Sequence, residues 1–171
     1  MISKKIEEAI NKQINEEMFS SYLYLSMTAY FDSLNLKGFA NWMMVQQKEE
    51  MDHAMKFYRY LVERGGRVKL YEIKEPLHEW NSPLHAFEDT LKHEKHITEC
   101  INDLVELAEK EKDRATFNLL QWYVDEQVEE EANDEEIINY LKLIAESGNG
   151  LLMLDRELAK RTYVSLVNEK K

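Results

Sequence analysis

Four glutamates, one histidine and one glutamine lie where helical periodicity predicts buried positions, and their spacing repeats along the chain. The first two glutamates are 33 residues apart, and the histidine follows three residues later. The third glutamate and the glutamine are again 33 residues apart, and the fourth glutamate follows three residues later. The members of this set are Glu17, Glu50, His53, Glu94, Gln127 and Glu130. Two helical hairpins therefore repeat one arrangement of polar side chains, at similar depth in a bundle.

Binding of metal ions is the chemistry that this arrangement predicts. Four buried carboxylates would repel one another and lose hydration, unless they were protonated or held cations. Two divalent ions would cancel the four negative charges. Imidazole and carboxylate ligands favour iron or manganese, whereas the single cysteine, Cys100, argues against a cysteine-rich zinc or iron–sulfur site. The pattern predicts a two-metal site in which Glu50 bridges the ions.

Four long helices and one short helix are predicted to position these side chains. The 171 residues include only 5 Gly and 2 Pro, a composition typical of helices. Ser3, Ser82 and Asp113 are predicted N-caps, with Pro83 at the first position of the third helix. The predicted helices span about 3–33, 36–64, 83–112, 114–146 and 150–161. The segment SGNG is assigned to the break after the fourth helix.

The segment between the second and third helices is long for a helix–helix connection. It spans about 15 residues, enough to run the length of a bundle. Two hairpins joined by such a crossover make a four-helix bundle of the up-down-down-up type. The sequence predicts an all-α domain over residues 1–162, with a charged C-terminal tail over residues 163–171.

The net charge of −11 limits the classes of partner. It would repel nucleic acid and anionic lipid and would attract cations. No stretch approaches the roughly 18 apolar residues of a membrane span, and the N-terminus lacks the apolar segment of a signal peptide. With one cysteine, which we expect to be half-buried, no intrachain disulfide can form. We expect a cytoplasmic protein with no nucleic-acid or membrane partner.

Three segments resemble the ferritin family, specifically its haem-free bacterial and archaeal members. They are NEEMFSSYLYLSMTAYF, KGFANWMMVQQKEEMDHAMKF and WYVDEQVEEE, and the likeness covers nearly the whole chain. The resemblance implies a ferritin-like bundle in which Glu17, Glu50 and His53 hold a first iron. Glu50, Glu94 and Glu130 would hold a second iron.

The same resemblance implies further site residues and a function. Gln127 would lie close to the irons, and Tyr24 would be hydrogen-bonded to the site. A third iron position nearby would use the acids Glu49, Glu126, Glu129 and Glu130. The implied function is a ferroxidase that oxidises Fe(II) with dioxygen or peroxide and stores ferric mineral inside a homo-oligomeric cage of 24 subunits. The short fifth helix would lie at a symmetry axis of that cage.

One departure separates this chain from related di-iron proteins. Many di-iron enzymes and the haem-binding bacterioferritins carry a second Glu-x-x-His on the last long helix, whereas this chain has Gln127 and Glu130 there. Met51 matches a haem-ligating methionine of bacterioferritins, but haem-free ferritins can have methionine there as well. Haem is therefore not expected. The absence of a C-x-x-C tail disfavours rubrerythrin.

Two other hypotheses stay open. A di-iron oxidase or oxygenase for an organic substrate would form a small oligomer with a substrate pocket. A metal-free helical interaction protein would use the buried acids to fix the register of its helices.

Several side chains have a purely structural interpretation. Trp122 is assigned to packing, with electron donation as the alternative, and Tyr24 can equally be a core residue. Glu131 is interpreted as part of a solvated charge run, which is also the alternative for Glu129. Four histidines match no ligand position and are expected at the surface or at helix ends: His78, His85, His93 and His96.

Overall fold

The chain forms five α-helices and, in residues 2–145 and 147–165 that the structure describes, no strand. This computed structural model has α1 (Lys4–Ser33), α2 (Lys37–Glu63), α3 (Pro83–Lys110), α4 (Arg114–Ile144) and α5 (Gly148–Leu158). The predicted all-α fold, a four-helix bundle with a short fifth helix, is confirmed. Residue 146, the predicted end of the fourth helix, and residues 166–171 of the predicted tail lie outside the described residues. None of the described helices has the length and apolar character that crossing a membrane requires.

Local chemistry explains where three of the helices begin. At Ser3, Ser82 and Asp113 the side-chain oxygen accepts a hydrogen bond from the backbone N–H three residues later. Each bond satisfies one of the backbone donors that a helix start leaves unpaired. These three predicted N-caps are therefore confirmed, as is Pro83 at the start of α3.

The start of α2 depends on a cap from elsewhere in the chain. Leu36 precedes the helix and offers no side-chain cap. Asp155 of α5 supplies one, because its Oδ1 accepts hydrogen bonds from the backbone N–H of Gly38 at 2.7 Å and of Phe39 at 3.1 Å. A Cβ on Gly38 would lie 1.5 Å from the Asp155 carbonyl oxygen, so only glycine permits this approach. The bundle and α5 are thus joined directly.

The start of α5 differs from the prediction. The helix begins at Gly148, inside the SGNG segment that was assigned to the interhelical break. Ser147 caps it, because its Oγ accepts a hydrogen bond from the backbone N–H of Gly150 at 3.2 Å. Glycine is poorly suited to a helix interior, but a capped first turn tolerates it.

The connection from α2 to α3 runs along α1. Near its beginning, the Asn11 side chain bonds to the carbonyl of Arg67 at 3.0 Å and to the N–H of Lys69 at 2.6 Å. Near its end, Tyr30 OH donates to the carbonyl of Trp80 at 2.9 Å. Because Asn11 and Tyr30 lie near opposite ends of α1, the connection spans the bundle, and α3 starts where α2 starts. The predicted long crossover and up-down-down-up order are confirmed.

The bundle interior has two apolar ends and a polar middle. The α5-end cluster is centred on the rings of Phe31, Phe39 and Phe87, whose centroids lie 5.2 to 6.2 Å apart. The opposite-end cluster includes Ile10 and Phe57. Buried polar side chains from all four long helices lie between the two clusters. Burial of the apolar ends stabilises the fold, and the helices they hold together enclose the polar layer.

Candidate metal centre

Helices α1 and α2 bring Glu17, Glu50 and His53 together in the polar layer. One ligand atom from each lies within 4.8 Å of the other two. The exposed fraction is 1% for Glu17 and 2% for both Glu50 and His53. His53 Nδ1 lies 3.4 Å from Glu50 Oε2. We refer to these three residues as the triad.

Each residue of the triad has a buried polar atom that no described residue pairs. These atoms are Glu17 Oε2, Glu50 Oε1 and His53 Nε2. The other oxygen of Glu17 accepts a hydrogen bond from Gln13 Nε2 at 2.9 Å. Leaving a buried polar atom unpaired costs about 1–3 kcal/mol, so native proteins rarely collect several in one place. Carboxylate oxygens and an imidazole nitrogen fit the ligand preferences of iron, manganese and zinc.

The carboxylates of the triad favour their protonated forms in the absence of a cation. Burial raises the pKa of both Glu17 and Glu50 well above the ordinary value for glutamate. Neighbouring negative charge adds to this effect, because Glu50 raises the pKa of Glu17, and Glu94 and Glu130 raise the pKa of Glu50. A divalent cation would favour the ionised carboxylates instead, so metal binding here would release protons.

Helices α3 and α4 place Glu94, Gln127 and Glu130 in the same layer. The two acids among them already accept hydrogen bonds from other side chains. Gln127 Nε2 donates to Glu94 Oε2 at 3.0 Å, and Tyr24 OH donates to Glu94 Oε1. Gln46 Nε2 donates to Glu130 Oε2 at 2.6 Å. Of the described residues, only the triad brings three histidine, cysteine or acidic ligand atoms within 4.8 Å of one another.

The acids of the second hairpin differ from those of the triad in their proton affinity. Burial raises the pKa of Glu94, while the hydrogen bonds from Tyr24 and Gln127 lower it. Burial and the nearby Glu94 carboxylate raise the pKa of Glu130 to about 7. Hydrogen bonds from both hairpins thus partly stabilise the carboxylates of the α3–α4 hairpin.

One acid of the implied third iron position, Glu49, is paired with an arginine. Arg161 Nη2 lies 2.5 Å from Glu49 Oε2, and Arg161 Nη1 donates to Gln46 Oε1 at 2.6 Å. Burial raises the pKa of Glu49, and the Arg161 guanidinium opposes that rise. Glu126 is half-buried and Glu129 is exposed, and both carboxylates raise the pKa of Glu49, which puts them in one neighbourhood.

Aromatic side chains cover the histidine of the triad. The Trp122 ring meets His53 edge-on, with centroids 5.3 Å apart, and Tyr123 OH donates to the His53 carbonyl oxygen at 2.9 Å. Lys56 Nζ lies over the Trp122 ring. Trp122 therefore packs, as predicted, and it does so directly against a candidate ligand.

Three polar side chains of the layer were not assigned a role from the sequence. Gln13 and Gln46 lie on the core faces of their helices and bond to acids of the site. Each precedes a site glutamate by four residues, a spacing that could have identified them. Asp134 follows Glu130 by four residues and is also buried.

Two of the structural interpretations were wrong. His93, expected at the surface or at a helix end, is half-buried, with its Nε2 2.7 Å from Ser20 Oγ and its ring 6.1 Å from that of Tyr24. Burial lowers the pKa of His93 to about 4. Glu131, expected to be solvated, is half-buried and accepts a hydrogen bond from Thr98 Oγ1 at 2.6 Å. Neighbouring helices cover both positions, which periodicity along one helix does not reveal. Cys100 is half-buried, as predicted.

The ferritin-like domain family matches residues 7–144, which include the whole polar layer and all four long helices except the first three residues of α1. This chain belongs to the ferritin family. It is 40% identical over 163 residues to a bacterial non-heme ferritin of Staphylococcus aureus (strain MRSA252), which covers 95% of this chain and 98% of that one. It is 42% identical over 161 residues to a bacterial non-heme ferritin of Bacteroides fragilis (strain 638R), covering 94% and 100%.

Solved ferritin structures share the fold of this ferritin. An open pore ferritin from the hyperthermophilic archaeon Archaeoglobus fulgidus is 58% identical, with a TM-score of 0.93 over 94% of this chain and 98% of that one. A closed form of the Archaeoglobus fulgidus ferritin, engineered by site-directed mutagenesis, is 57% identical, with a TM-score of 0.95 over 96% and 100%. The predicted resemblance to non-haem ferritins and the ferritin-like fold are confirmed.

Proposed function

We propose that this ferritin oxidises Fe(II) in its polar layer and stores the product as Fe(III) mineral. The observation that carries the proposal is the triad, whose three members each have a buried polar atom with no partner among the described residues. Family membership and the bacterial non-heme ferritin relatives support iron as the substrate.

Two Fe(II) ions bind side by side in this proposal. Glu17, Glu50 and His53 bind the first ion, and Glu50, Glu94 and Glu130 bind the second. Glu50 bridges the ions, because a carboxylate has two oxygens and that of Glu50 is central among the site acids. The four positive charges of two divalent ions balance the four negative charges of the carboxylates.

Protons take the place of the ions when the site holds no metal. Burial raises the pKa of Glu17 and of Glu50, so in the metal-free site both carboxyl groups favour their protonated forms. Binding of Fe(II) displaces these protons to solvent. The layer thereby avoids a large buried net charge in both states, which would otherwise cost several kcal/mol per ion.

The two ions supply two electrons, one each, and both become Fe(III). Dioxygen takes up two electrons and two protons and leaves as hydrogen peroxide. Where hydrogen peroxide is the oxidant, it takes up two electrons and two protons and leaves as two water molecules. The protein contributes by holding both Fe(II) ions close enough to react with one oxidant molecule.

The second position is suited to an ion that must leave. It has no imidazole ligand, because Gln127 stands where many di-iron proteins have histidine. Three protein donors, Tyr24, Gln46 and Gln127, bond to its acids in the metal-free chain. These donors can replace a departing Fe(III) ion as partners of Glu94 and Glu130.

A third iron position is part of the proposal, with the ligands Glu49, Glu126, Glu129 and Glu130. A third ion would compete with the guanidinium of Arg161 for the Glu49 carboxylate. Haem has no role in the proposed reaction. The cytoplasmic location stays a prediction.

Storage requires a container, which one chain of 171 residues cannot form. We propose a hollow cage of 24 subunits, with α5 at a symmetry axis. Light scattering on the purified protein, with an iron assay on the same fraction, tests this assembly. A 24-subunit particle that takes up many irons per chain supports storage, whereas a dimer with two irons per chain would favour an oxidase for an organic substrate.

Stopped-flow measurement of Fe(III) formation tests the site itself. The combined variant Glu50→Ala, His53→Ala should lose rapid Fe(II) oxidation. The matched control is Glu135→Gln, an exposed acid of α4 that pairs with Lys95 and should react like the wild type. Unchanged rapid Fe(II) oxidation in the double variant would contradict the proposal. No change in stability under chelation, together with no bound iron, would favour a metal-free helical protein.

A further inference from the structure

One further buried atom shares the property that marks the triad. Among the described residues, four buried side-chain nitrogen or oxygen atoms have no hydrogen-bond partner. Three of them belong to Glu17, Glu50 and His53, and the fourth is Asp134 Oδ2. Asp134 is 5% exposed. The resemblance to ferritins assigned no role to this residue.

Hydrogen bonds between α2 and α4 locate Asp134 relative to the triad. Tyr123 OH bonds to the carbonyl of His53, and Gln46 bonds to Glu130. The two helices are therefore antiparallel, with residues of higher number on α4 farther from His53. Asp134 lies one helical turn beyond Glu130, where the polar layer meets the α5-end cluster.

The surroundings of Asp134 are dominated by negative charge. Burial raises the pKa of Asp134 well above the ordinary value, and the carboxylates of Glu94, Glu130 and Glu50 raise it further. The Arg161 guanidinium acts in the opposite direction, but it forms its ion pair with Glu49. No basic side chain in the described part of the chain lies within ion-pair distance of Asp134.

Protonation of Asp134 does not explain why its buried Oδ2 has no hydrogen-bond partner among the described residues. A protonated carboxyl group would donate a hydrogen bond, and an ionised one would accept several. Asp134 Oδ2 has neither a donor nor an acceptor within reach among the described residues. The protein therefore satisfies this oxygen in neither protonation state, which costs about 1–3 kcal/mol.

We propose that Asp134 is a cation ligand, and that with Glu130 and Glu94 it forms an additional divalent-cation position one turn beyond the second iron position. Glu130 and Asp134 are four residues apart on one helix face, so both carboxylates can reach one ion. Glu94 of α3 is the strongest charged neighbour of Asp134, and the three carboxylates would close around an ion by side-chain rotation, because their ligand atoms do not all lie within 4.8 Å of one another in the metal-free chain. Three carboxylates suit a hard divalent ion such as Fe(II) or Mn(II).

This inference rests on the proposed function for the identity of the ion as iron. The additional position would share Glu130 and Glu94 with the second iron position. Two cations that share ligands repel each other, so occupation of one position would favour departure from the other. Asp134 would thereby provide a stopping point for an ion on its way to or from the oxidation site.

Mn(II) is the probe that tests the position, in the full-length assembled protein. Crystals soaked in Mn(II) should show anomalous density bonded to the Asp134 carboxylate in the wild type. Asp134→Asn keeps the size of the side chain and removes its charge, and should lose this density and bind one Mn(II) fewer per chain. Glu135→Gln is the matched control, because it removes one exposed acid of α4 that pairs with Lys95. It should bind as the wild type does.

The outcomes separate this inference from the proposed function. Density at the triad, none at Asp134, and equal Mn(II) binding by wild type and Asp134→Asn would overturn the Asp134 position alone. In the Glu50→Ala, His53→Ala background, Asp134→Asn should still remove one Mn(II), because Asp134 binds on the far side of Glu130. An empty triad together with slow Fe(II) oxidation would contradict the proposed function instead. Thermal unfolding adds a second readout, since Mn(II) should raise the midpoint less in Asp134→Asn than in Glu135→Gln.

Discussion

The two helical hairpins carry the same 33-residue spacing of polar side chains but leave those side chains in different states. In the α1–α2 hairpin, each member of the triad has a buried atom with no hydrogen-bond partner among the described residues. In the α3–α4 hairpin, Tyr24 and Gln127 bond to Glu94, and Gln46 bonds to Glu130. Two of these three donors, Tyr24 and Gln46, come from the first hairpin. The first hairpin thus offers free ligands and also satisfies the ligands of the second.

This difference predicts unequal affinity for the two irons. A cation at the triad gains interactions with atoms that have no other partner. A cation at the second position must first displace hydrogen bonds that are worth about 1 kcal/mol each, or more for a charged acceptor. We therefore expect the first iron to bind more tightly and the second to exchange more readily. Such an arrangement favours turnover over permanent retention.

The largest effect is expected from removing a ligand of the first hairpin. His53→Ala should slow initial Fe(II) oxidation by at least about 100-fold, because even indirect partners of a metal typically cost 10- to 100-fold. Glu130→Ala should keep the tight first ion and lose the second. Anaerobic Fe(II) titration by calorimetry, with stopped-flow oxidation, distinguishes the two variants. Equal loss of both ions in both variants would contradict the proposed asymmetry.

The second largest effect is expected in the free energy of unfolding of the metal-free protein, which should depend on pH. Glu130 has a folded pKa of about 7, above its ordinary value of 4.5, so the folded chain binds a proton that the unfolded chain releases. Its contribution is complete below pH 4.5 and is lost as the pH rises towards 7. The loss should be about 2 kcal/mol between pH 5 and pH 7. Burial also raises the pKa of Glu17 and of Glu50, so both should add to this decline of stability with rising pH.

Thermal unfolding of the chelated protein across this pH range measures that decline. Glu130→Gln should show a shallower slope, and Glu135→Gln, which changes an exposed acid, should keep the slope of the wild type. Added Mn(II) should restore stability at pH 7, where fewer protons neutralise the carboxylates of the layer than at pH 5. A metal-free protein that gains stability from pH 5 to pH 7 would show that these carboxylates are ionised and already paired.

The sequence predicted the fold well and brought Glu17, Glu50 and His53 to one buried place, because both features depend on periodicity. Helix starts followed from single capping residues such as Ser3 and Asp113. Glu17 and Glu50 met because antiparallel helices bring residues at equal distances from the turn to one depth. These features are local or are repeated at regular intervals, so one sequence contains them.

Contacts between elements far apart in the chain could not be predicted in the same way. The bond from Gln46 to Glu130 and the pairing of Arg161 with Glu49 each depend on side-chain direction across an interface. The cap that Asp155 gives to α2 crosses 117 residues. Asp134 was visible as an acid on the core face of α4, but its lack of a partner appears only when all neighbouring helices are in place.

The third prediction concerns the α3–α4 hairpin, which has Gln127 where many di-iron proteins have a histidine. Gln127→His should tighten binding of the second iron about tenfold, because it supplies an imidazole ligand and removes a competing donor to Glu94. Release of the oxidised product should slow, so repeated turnover should fall while the first turnover stays fast. Gln127→Leu is the matched control, since it removes the donor without adding a ligand. If both variants tighten the second iron equally, the lost hydrogen bond and not the imidazole is responsible.

The smallest effect is expected at Glu49, the one candidate ligand of the first hairpin that already has a cationic partner. Arg161 is held there by Gln46 and by the ring of Trp42, 4.0 Å from the guanidinium carbon. Arg161→Gln should free the Glu49 carboxylate and strengthen binding of a third ion about fivefold, the equivalent of roughly 1 kcal/mol for a partly exposed ion pair. Arg161→Lys keeps the charge and should bind the third ion as weakly as the wild type. Anaerobic Fe(II) titration resolves this step after the first two ions are bound. Weaker third-ion binding in Arg161→Gln would mean that the guanidinium orients Glu49 for the metal and does not compete with it.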